Sequence, residues 1–272
     1  LYLVDYHVHT KRCGHACGED REYLETAIEK SLKEIGFSDH VPCFYQAADP
    51  LRPVSEHGMD YAALEEYVRT VLQYRSEYRE IAVKLGLEID FIPGWEETIA
   101  EIIASYPWDY VLGSVHFVPE WNYDYIAYDK EHEPVEIFTK YFELVAAAAA
   151  SGLFDFLGHI DLPKRAFKVA DESVMDELHR KLAGRLGKSR AVIEVSTYGI
   201  RVAKLGDAGI YPDPGLLRLC RQNGVKVTLG SDAHRPRDVG ADFEKSAALL
   251  ERTGYDRIVT FTRRKAKMVD WR

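Results

Sequence analysis

The stretch Leu1-Tyr2-Leu3-Val4-Asp5-Tyr6-His7-Val8-His9-Thr10 decides how the rest of the chain reads. An apolar run leads into two histidines at i and i+2, and Thr10-Lys11 then opens a polar loop. Alternate residues of a strand point to the same face, so both imidazoles can reach one metal ion. His-x-His alone is a weak signal that a pair of ordinary loop histidines shares. Its weight comes from repetition, because similar donors stand at the ends of later apolar runs. Phe37-Ser38-Asp39-His40 reads as the end of a short strand, and Val83 to Glu88 as a strand ending in a carboxylate. Tyr110 to His116 and Phe154 to His159 end in histidine. Val225 to Gly230 runs into Ser231-Asp232-Ala233-His234, and Ala191 to Ser196 supplies one further strand.

Between these runs the apolar spacing turns helical. From Asp20, residues Leu24, Ala27, Ile28, Leu32 and Ile35 predict a helix stopped by Gly36. Further helices are expected at Tyr61 to Ala82, Trp95 to Ser105, Pro134 to Ala150, Glu172 to Leu186, Pro214 to Gln222 and Phe243 to Leu250. Asn223-Gly224 is a good C-terminal stop for the sixth of the seven, and an apolar run from Arg257 to Phe261 follows the last. The polar, proline-containing insertion from Val41 to Met59 is long for a connector, which marks it as a candidate substrate-side loop. Seven strand–helix units with no Pro-, Gly- or Ser-rich linker predict one domain over residues 1–272. The expected fold class is α/β, a parallel sheet closed into a TIM-like barrel.

In such a barrel the C-terminal strand ends converge on one face, where the loops build the active site. His7, His9, His40, Glu88, His116, His159, Asp232 and His234 all fall at those ends, and His15 lies in the loop just beyond the first. Seven of the ten histidines are in this set; His57, His132 and His179 are not. Imidazole with carboxylate suits zinc, manganese or iron(II). Nine donors exceed what one ion can use, so two or three ions are expected, with Glu88 and Asp232 placed to bridge or balance charge. Adjacent ions lower the pKa of a shared water and hold a hydroxide for attack on phosphorus or a carbonyl.

Composition narrows the partners. The 272 residues are 46% apolar and 29% charged, with net charge −9 and a pI near 5.6. That balance argues against a broad nucleic-acid surface, which needs clustered Lys and Arg. Four cysteines in this length are no disulfide framework, and although Cys13 and Cys17 flank His15, no second pair completes a zinc knuckle. No basic-plus-apolar leader opens the sequence and no run approaches a membrane span. A cytoplasmic setting with no membrane partner is expected, and nothing in the sequence bears on oligomeric state.

The ordered set His7-Val8-His9-Thr10, Cys13-Gly14-His15-Ala16, Phe37-Ser38-Asp39-His40, Gly86-Leu87-Glu88, Gly113-Ser114-Val115-His116, Gly158-His159-Ile160-Asp161-Leu162 and Gly230-Ser231-Asp232-Ala233-His234 resembles the PHP (polymerase and histidinol phosphatase) superfamily. The resemblance covers nearly the whole chain and is strongest to the monofunctional histidinol-phosphate phosphatases. It implies a distorted (β/α)7 barrel with a trinuclear metal site whose ligands are the nine donors above. Many polymerase-type members have aspartate where this chain has His15, which favours the phosphatase branch. The resemblance also implies that Arg165 and Arg201 hold the substrate phosphate, through the planar guanidinium fork that suits phosphate oxygens. Relatives often carry asparagine where this chain has Ser196.

The implied reaction is hydrolysis of a small phosphate monoester, L-histidinol phosphate, in histidine biosynthesis. A hydroxide held between metals attacks phosphorus in line, and Asp232 takes the attacking proton. Arg165, Arg201 and the third metal hold the non-bridging oxygens. A metal-bound water or His234 protonates the leaving alkoxide. A phosphatase for a nucleotide or sugar phosphate, a 3′–5′ exonuclease, and a non-enzymatic metal-loaded domain are the competing readings. Asp39 has two readings, a partner orienting an imidazole or a turn residue. Asp161 either orients His159 or anchors the Arg165 loop. Glu194 reads as a salt link to a neighbour inside the barrel. The segment Trp121-Asn122-Tyr123-Asp124-Tyr125 is a candidate stacking surface or a loop cover.

Overall fold

The strands alternate with helices because apolar period-two runs alternate with period-3.6 runs, each closed by its own turn chemistry. The computed structural model describes residues 1–41, 58–59, 61–121, 126–202 and 209–272. Most of the Val41–Met59 insertion and residues 122–125 lie outside that set. The strands are β1 (Val4–Asp5), β2 (Glu34–Phe37), β3 (Ala82–Leu85), β4 (Glu88–Asp90), β5 (Leu112–Ser114), β6 (Phe156–Leu157), β7 (Val192–Ser196) and β8 (Lys226–Gly230). The helices are α1 (Asp20–Glu29), α2 (Tyr61–Glu77), α3 (Glu96–Ala104), α4 (Pro134–Ser151), α5 (Glu172–Lys188), α6 (Tyr198–Val202), α7 (Pro214–Gln222) and α8 (Phe243–Thr253).

All pairings among β1 to β8 are parallel. β1, β2 and β3 form one ladder and β4 to β8 the other. β3 and β4 are two halves of one path, parted at Gly86-Leu87: β3 pairs back to β2, β4 forward to β5. Parallel bridges at His40–Glu88 and Val8–Ala233 join the two ladders at both seams. Tyr6 N–H adds a bond of 3.1 Å to Leu229 O. Counted by path, the described residues form seven parallel strands around a closed (β/α) barrel.

Tyr110 fills the interior. Its hydroxyl donates to Tyr6 O at 2.8 Å. A Cβ at Gly36 or Gly86 would stand 2.2 Å from that ring or its hydroxyl, so both strands need glycine there. Tyr6, Tyr110 and Phe156 then meet Phe261 at ring separations of 5.5 to 6.2 Å.

Phe261 comes from an antiparallel hairpin of β9 (Arg257–Thr262) and β10 (Lys265–Asp270), where the sequence suggests only a final apolar run. The hairpin seals the N-terminal end of the barrel. Arg264 N–H donates to Asp109 O just before β5, the Arg264 guanidinium to Asp155 just before β6, and Lys84 to Phe261 O. The opposite end is left for chemistry.

Two expected helices are shorter than their spacing suggests. α1 ends at Glu29, Ser31 turns the chain in the left-handed region (φ 58°), and Ile35-Gly36 belong to β2. α2 ends at Glu77 and Ala82 already starts β3. In both cases apolar strand residues extend the helical pattern by coincidence of phase. In α4 the buried Ala146 and Ala148 allow close packing, and Tyr141 Oη holds His159 O at 2.9 Å. Among the described residues, no helix is long and apolar enough to cross a membrane.

Candidate metal centre

Glu88, at the start of β4, is the hub. Its Oε2 lies 3.2 Å from His7 Nε2, 3.2 Å from His9 Nε2 and 3.3 Å from His40 Nδ1. Its Oε1 lies 3.8 Å from His116 Nε2 and 3.6 Å from His159 Nε2. Asp232 forms a second centre, 3.5 Å from His7 Nε2 and 3.2 Å from His9 Nε2. Its backbone sits in the left-handed region (φ 52°), which aspartate tolerates better than most residues and which aims the carboxylate inward. His234 stacks on His9 at 4.5 Å between ring centroids, and His15 lies 4.6 Å from His234 and 5.5 Å from His40. All nine expected donors therefore meet at one place, drawn from six strand ends and the first loop.

The outer nitrogens of several imidazoles are already tied, which sets which nitrogen faces the centre. His7 Nδ1 pairs with Glu194 Oε1 at 2.8 Å, and His116 Nδ1 with Asp90 Oδ1 at 2.7 Å. His15 Nδ1 lies 2.8 Å from Cys13 O, and His234 Nδ1 3.0 Å from Asp232 O. Glu194 is fully buried and its second oxygen accepts from His159 N–H at 3.0 Å. It is the internal salt link expected of it. A Cβ at position 230 would stand 1.9 Å from Glu194 Oε1, so Gly230 on β8 is what admits the carboxylate. Asp161 Oδ2 accepts from Asp213 N–H at 2.6 Å and pairs with Lys164 at 3.1 Å, which anchors the turn Leu162–Arg165.

Charge follows burial and neighbours. Burial opposes a proton on His7, yet Glu194, Asp232 and Glu88 outweigh it and hold its pKa well above the usual histidine value. Burial likewise works against His9, but Asp232 and Glu88 raise it to about 9. Burial, with the imidazoles of His9, His116 and His15 opposing the pull of Glu88, keeps His40 well below the usual value. Burial and His9 bring His234 down to about 3. Burial of Glu88 and Asp232 is overcome by surrounding imidazoles, which hold both carboxyls far below their ordinary range.

This donor set fits divalent metal. Buried atoms His9 Nε2, Glu88 Oε1 and His159 Nδ1 have no hydrogen-bond partner of good geometry. The His116 and His159 Nε2 atoms face each other at 3.2 Å. Four of the triads with ligand atoms within 4.8 Å of one another draw only on the expected donors: His7-His159-Asp232, His7-His9-Glu88, His9-Asp232-His234 and His40-Glu88-His116. Buried polar atoms crowded this closely are costly unless a proton or a metal cation joins them.

A cavity of about 130 Å³ opens over the cluster. Its walls include seven of the nine donors together with Asp90, Phe117, Tyr128 and Tyr198. Neither Arg165 nor Arg201 is in the wall, but both guanidiniums lie over the Tyr198 ring, at 5.7 and 6.0 Å from its centroid. Arg201 also donates to Thr197 Oγ1 at 3.2 Å and to Ser231 O. Of the residues the sequence reading left without a role, Asp90 had a signal: it stands two residues after Glu88 on one strand, hence on the same face. Tyr198, Phe117 and Tyr128 had none.

A PHP domain matches residues 5–198. The chain belongs to the PHP family. The "Probable histidinol-phosphatase" of Deinococcus radiodurans is 37% identical over 97% of this chain and 98% of its own length. The histidinol-phosphatase of Bacillus subtilis is 28% identical over 91% and 98%. Among solved structures, a histidinol phosphate phosphatase of Lactococcus lactis, complexed with zinc, L-histidinol and phosphate, superposes with a TM-score of 0.79 at 22% identity, covering 97% of this chain and 98% of that one. This PHP chain thus shares its fold with that enzyme and its family with the Deinococcus relative.

Proposed function

We propose that this PHP chain is a divalent-metal-dependent phosphomonoesterase that hydrolyses L-histidinol phosphate to L-histidinol and phosphate. The observation that carries the reading is the convergence of five imidazoles on Glu88 beneath one cavity, with Asp232 beside them. The histidinol-phosphatase relatives support the choice of substrate. His7, His9, His15, His40, Glu88, His116, His159, Asp232 and His234 would hold two to three ions of zinc, manganese or iron. Bound there, divalent ions supply Lewis acidity and lower the pKa of water in the centre.

The chain's own groups do the rest. Asp232, ionised at neutral pH, accepts the proton released when water attacks phosphorus. The leaving alkoxide takes its proton from His234 or from water in the centre. Arg165 and Arg201 flank Tyr198 at the cavity wall and hold phosphoryl oxygens by charge-assisted bonds. Phe117 and Tyr128 add aromatic surface to the cavity wall. The test is phosphate release by metal-reconstituted protein from L-histidinol phosphate, nucleotides, sugar phosphates and single-stranded DNA. The reading expects the highest kcat/KM on L-histidinol phosphate; a higher value on any other member of the panel overturns it.

A further inference from the structure

His7, His15, His116 and His234 each lean their outer nitrogen on an oxygen, whereas His9 leans on sulfur. Cys13 Sγ is fully buried, 3.4 Å from His9 Nδ1, 2.9 Å from Asp39 Oδ1, and accepts from His40 N–H at 3.2 Å. We propose that Cys13 is a positioning residue for His9, relaying the Asp39 carboxylate to that imidazole through its thiol. The inference rests on the reading of His9 as a metal ligand.

The direction of each bond follows from what the groups can do. An ionised carboxylate only accepts, and Asp39 already takes Thr10 N–H at 2.5 Å and Thr10 Oγ1–H at 2.6 Å. The thiol hydrogen therefore goes to Asp39, and the sulfur is left as acceptor. Its contact with His9 then requires hydrogen on Nδ1. That choice places the lone pair on Nε2, the atom 3.2 Å from both Glu88 and Asp232. Asp39 thus acts on His9 at one remove, while Thr10, in the turn after His9, pins the carboxylate from the other side.

A direct metal site at His9, Cys13 and Asp39 is the competing geometry, since their ligand-type atoms also lie within 4.8 Å of one another. The Sγ–Oδ1 separation decides against it. Sulfur and oxygen on one tetrahedral zinc, with bonds of about 2.3 and 2.0 Å, stand roughly 3.5 Å apart. The observed 2.9 Å is a hydrogen bond.

The test is the zinc dissociation constant of Cys13→Ala and Cys13→Ser, read by competition with a chromophoric chelator, beside the melting temperature of each variant without added zinc. The relay expects Cys13→Ala to weaken the tightest zinc step on the order of tenfold, as loss of a group orienting a ligand does. Cys13→Ser, whose hydroxyl can still donate to Asp39 and accept from His9, should recover most of that loss. A role in packing alone would move the melting temperature of both variants and leave zinc affinity alike in the two. Wild-type affinity in Cys13→Ala, or a serine variant no better than alanine, overturns the relay. Nitrogen-15 histidine spectra of the zinc-loaded wild type check it without a variant: His9 should carry its proton on Nδ1, and a proton on Nε2 contradicts the proposal. Failure of the wild type to bind zinc at all would instead strike the proposed function.

Discussion

Glu194→Gln isolates one carboxylate that touches the centre without facing the cavity. Glu194 is fully buried, with one oxygen on His7 Nδ1 at 2.8 Å and the other on His159 N–H at 3.0 Å. Glutamine offers one acceptor and one NH₂, so whichever way the amide turns, the NH₂ meets a group that needs an acceptor. If it faces His159, a buried backbone donor goes unmet at about 1–3 kcal/mol. If it faces His7, the ring must move its proton to Nε2 and forfeit the lone pair aimed at Glu88 and Asp232. Losing a partner that orients a ligand typically weakens metal binding 10–100-fold, which is about 1.4–2.7 kcal/mol and agrees with the hydrogen-bond figure. Zinc affinity by chelator competition, with circular dichroism to confirm the fold, should show that loss. Gly230→Ala should show it too, because its Cβ occupies the place of Glu194 Oε1. A folded Glu194→Gln protein that binds zinc as tightly as wild type would refute the reasoning.

Other substitutions probe the remaining parts. Asp232→Asn should lower kcat by orders of magnitude while circular dichroism stays native, since an amide can neither take the proton nor balance the imidazoles; near-normal turnover with metals bound would remove it as the base. Arg201→Ala should cost roughly 1.5–3 kcal/mol in kcat/KM, with part of the loss in kcat, and leave metal content unchanged. Arg201→Lys should rescue only partly, because an ammonium lacks the two-pronged geometry; wild-type kinetics in the alanine variant would confine Arg201 to its bonds with Thr197 and Ser231. Burial holds His179, on α5 and packed against Phe142 of α4, below the usual histidine pKa. The unfolded chain therefore binds the proton first, so stability is full above the ordinary histidine range and falls as pH drops through it. Melting temperatures from pH 8 to 5 should fall more steeply for the parent than for His179→Leu, and parallel curves would contradict the assignment.

The barrel and its donor ring were legible because both follow from position. A strand end in a parallel sheet has one address, and His7, His40, Glu88, His116, His159 and Asp232 all carry it. What escaped was set by contacts between segments far apart in sequence. The terminal hairpin closes the barrel through Arg264, Phe261 and Lys84, and no local pattern says which end an apolar run will cap. The end of α1 was overrun because Leu32 and Ile35 continue the helical phase while their backbone already belongs to the turn and strand. Tyr198 joins the site because α6 follows β7 directly, bringing both arginines over its ring. Glu194 looked like an internal salt link and is one; only the fold says that its partner is a donor of the centre.

The central claim is that nine convergent side chains hold more than one metal ion for hydrolysis of a phosphate ester. The most direct measurement titrates chelator-stripped protein with zinc or manganese while recording, in the same samples, bound metal by elemental analysis and phosphate release from L-histidinol phosphate. The account predicts no turnover in stripped protein, which keeps its fold on the strength of the barrel core, and activity that rises to a plateau at two to three bound ions per chain. Full activity at one bound ion, or turnover that persists after the metal is gone, would contradict it.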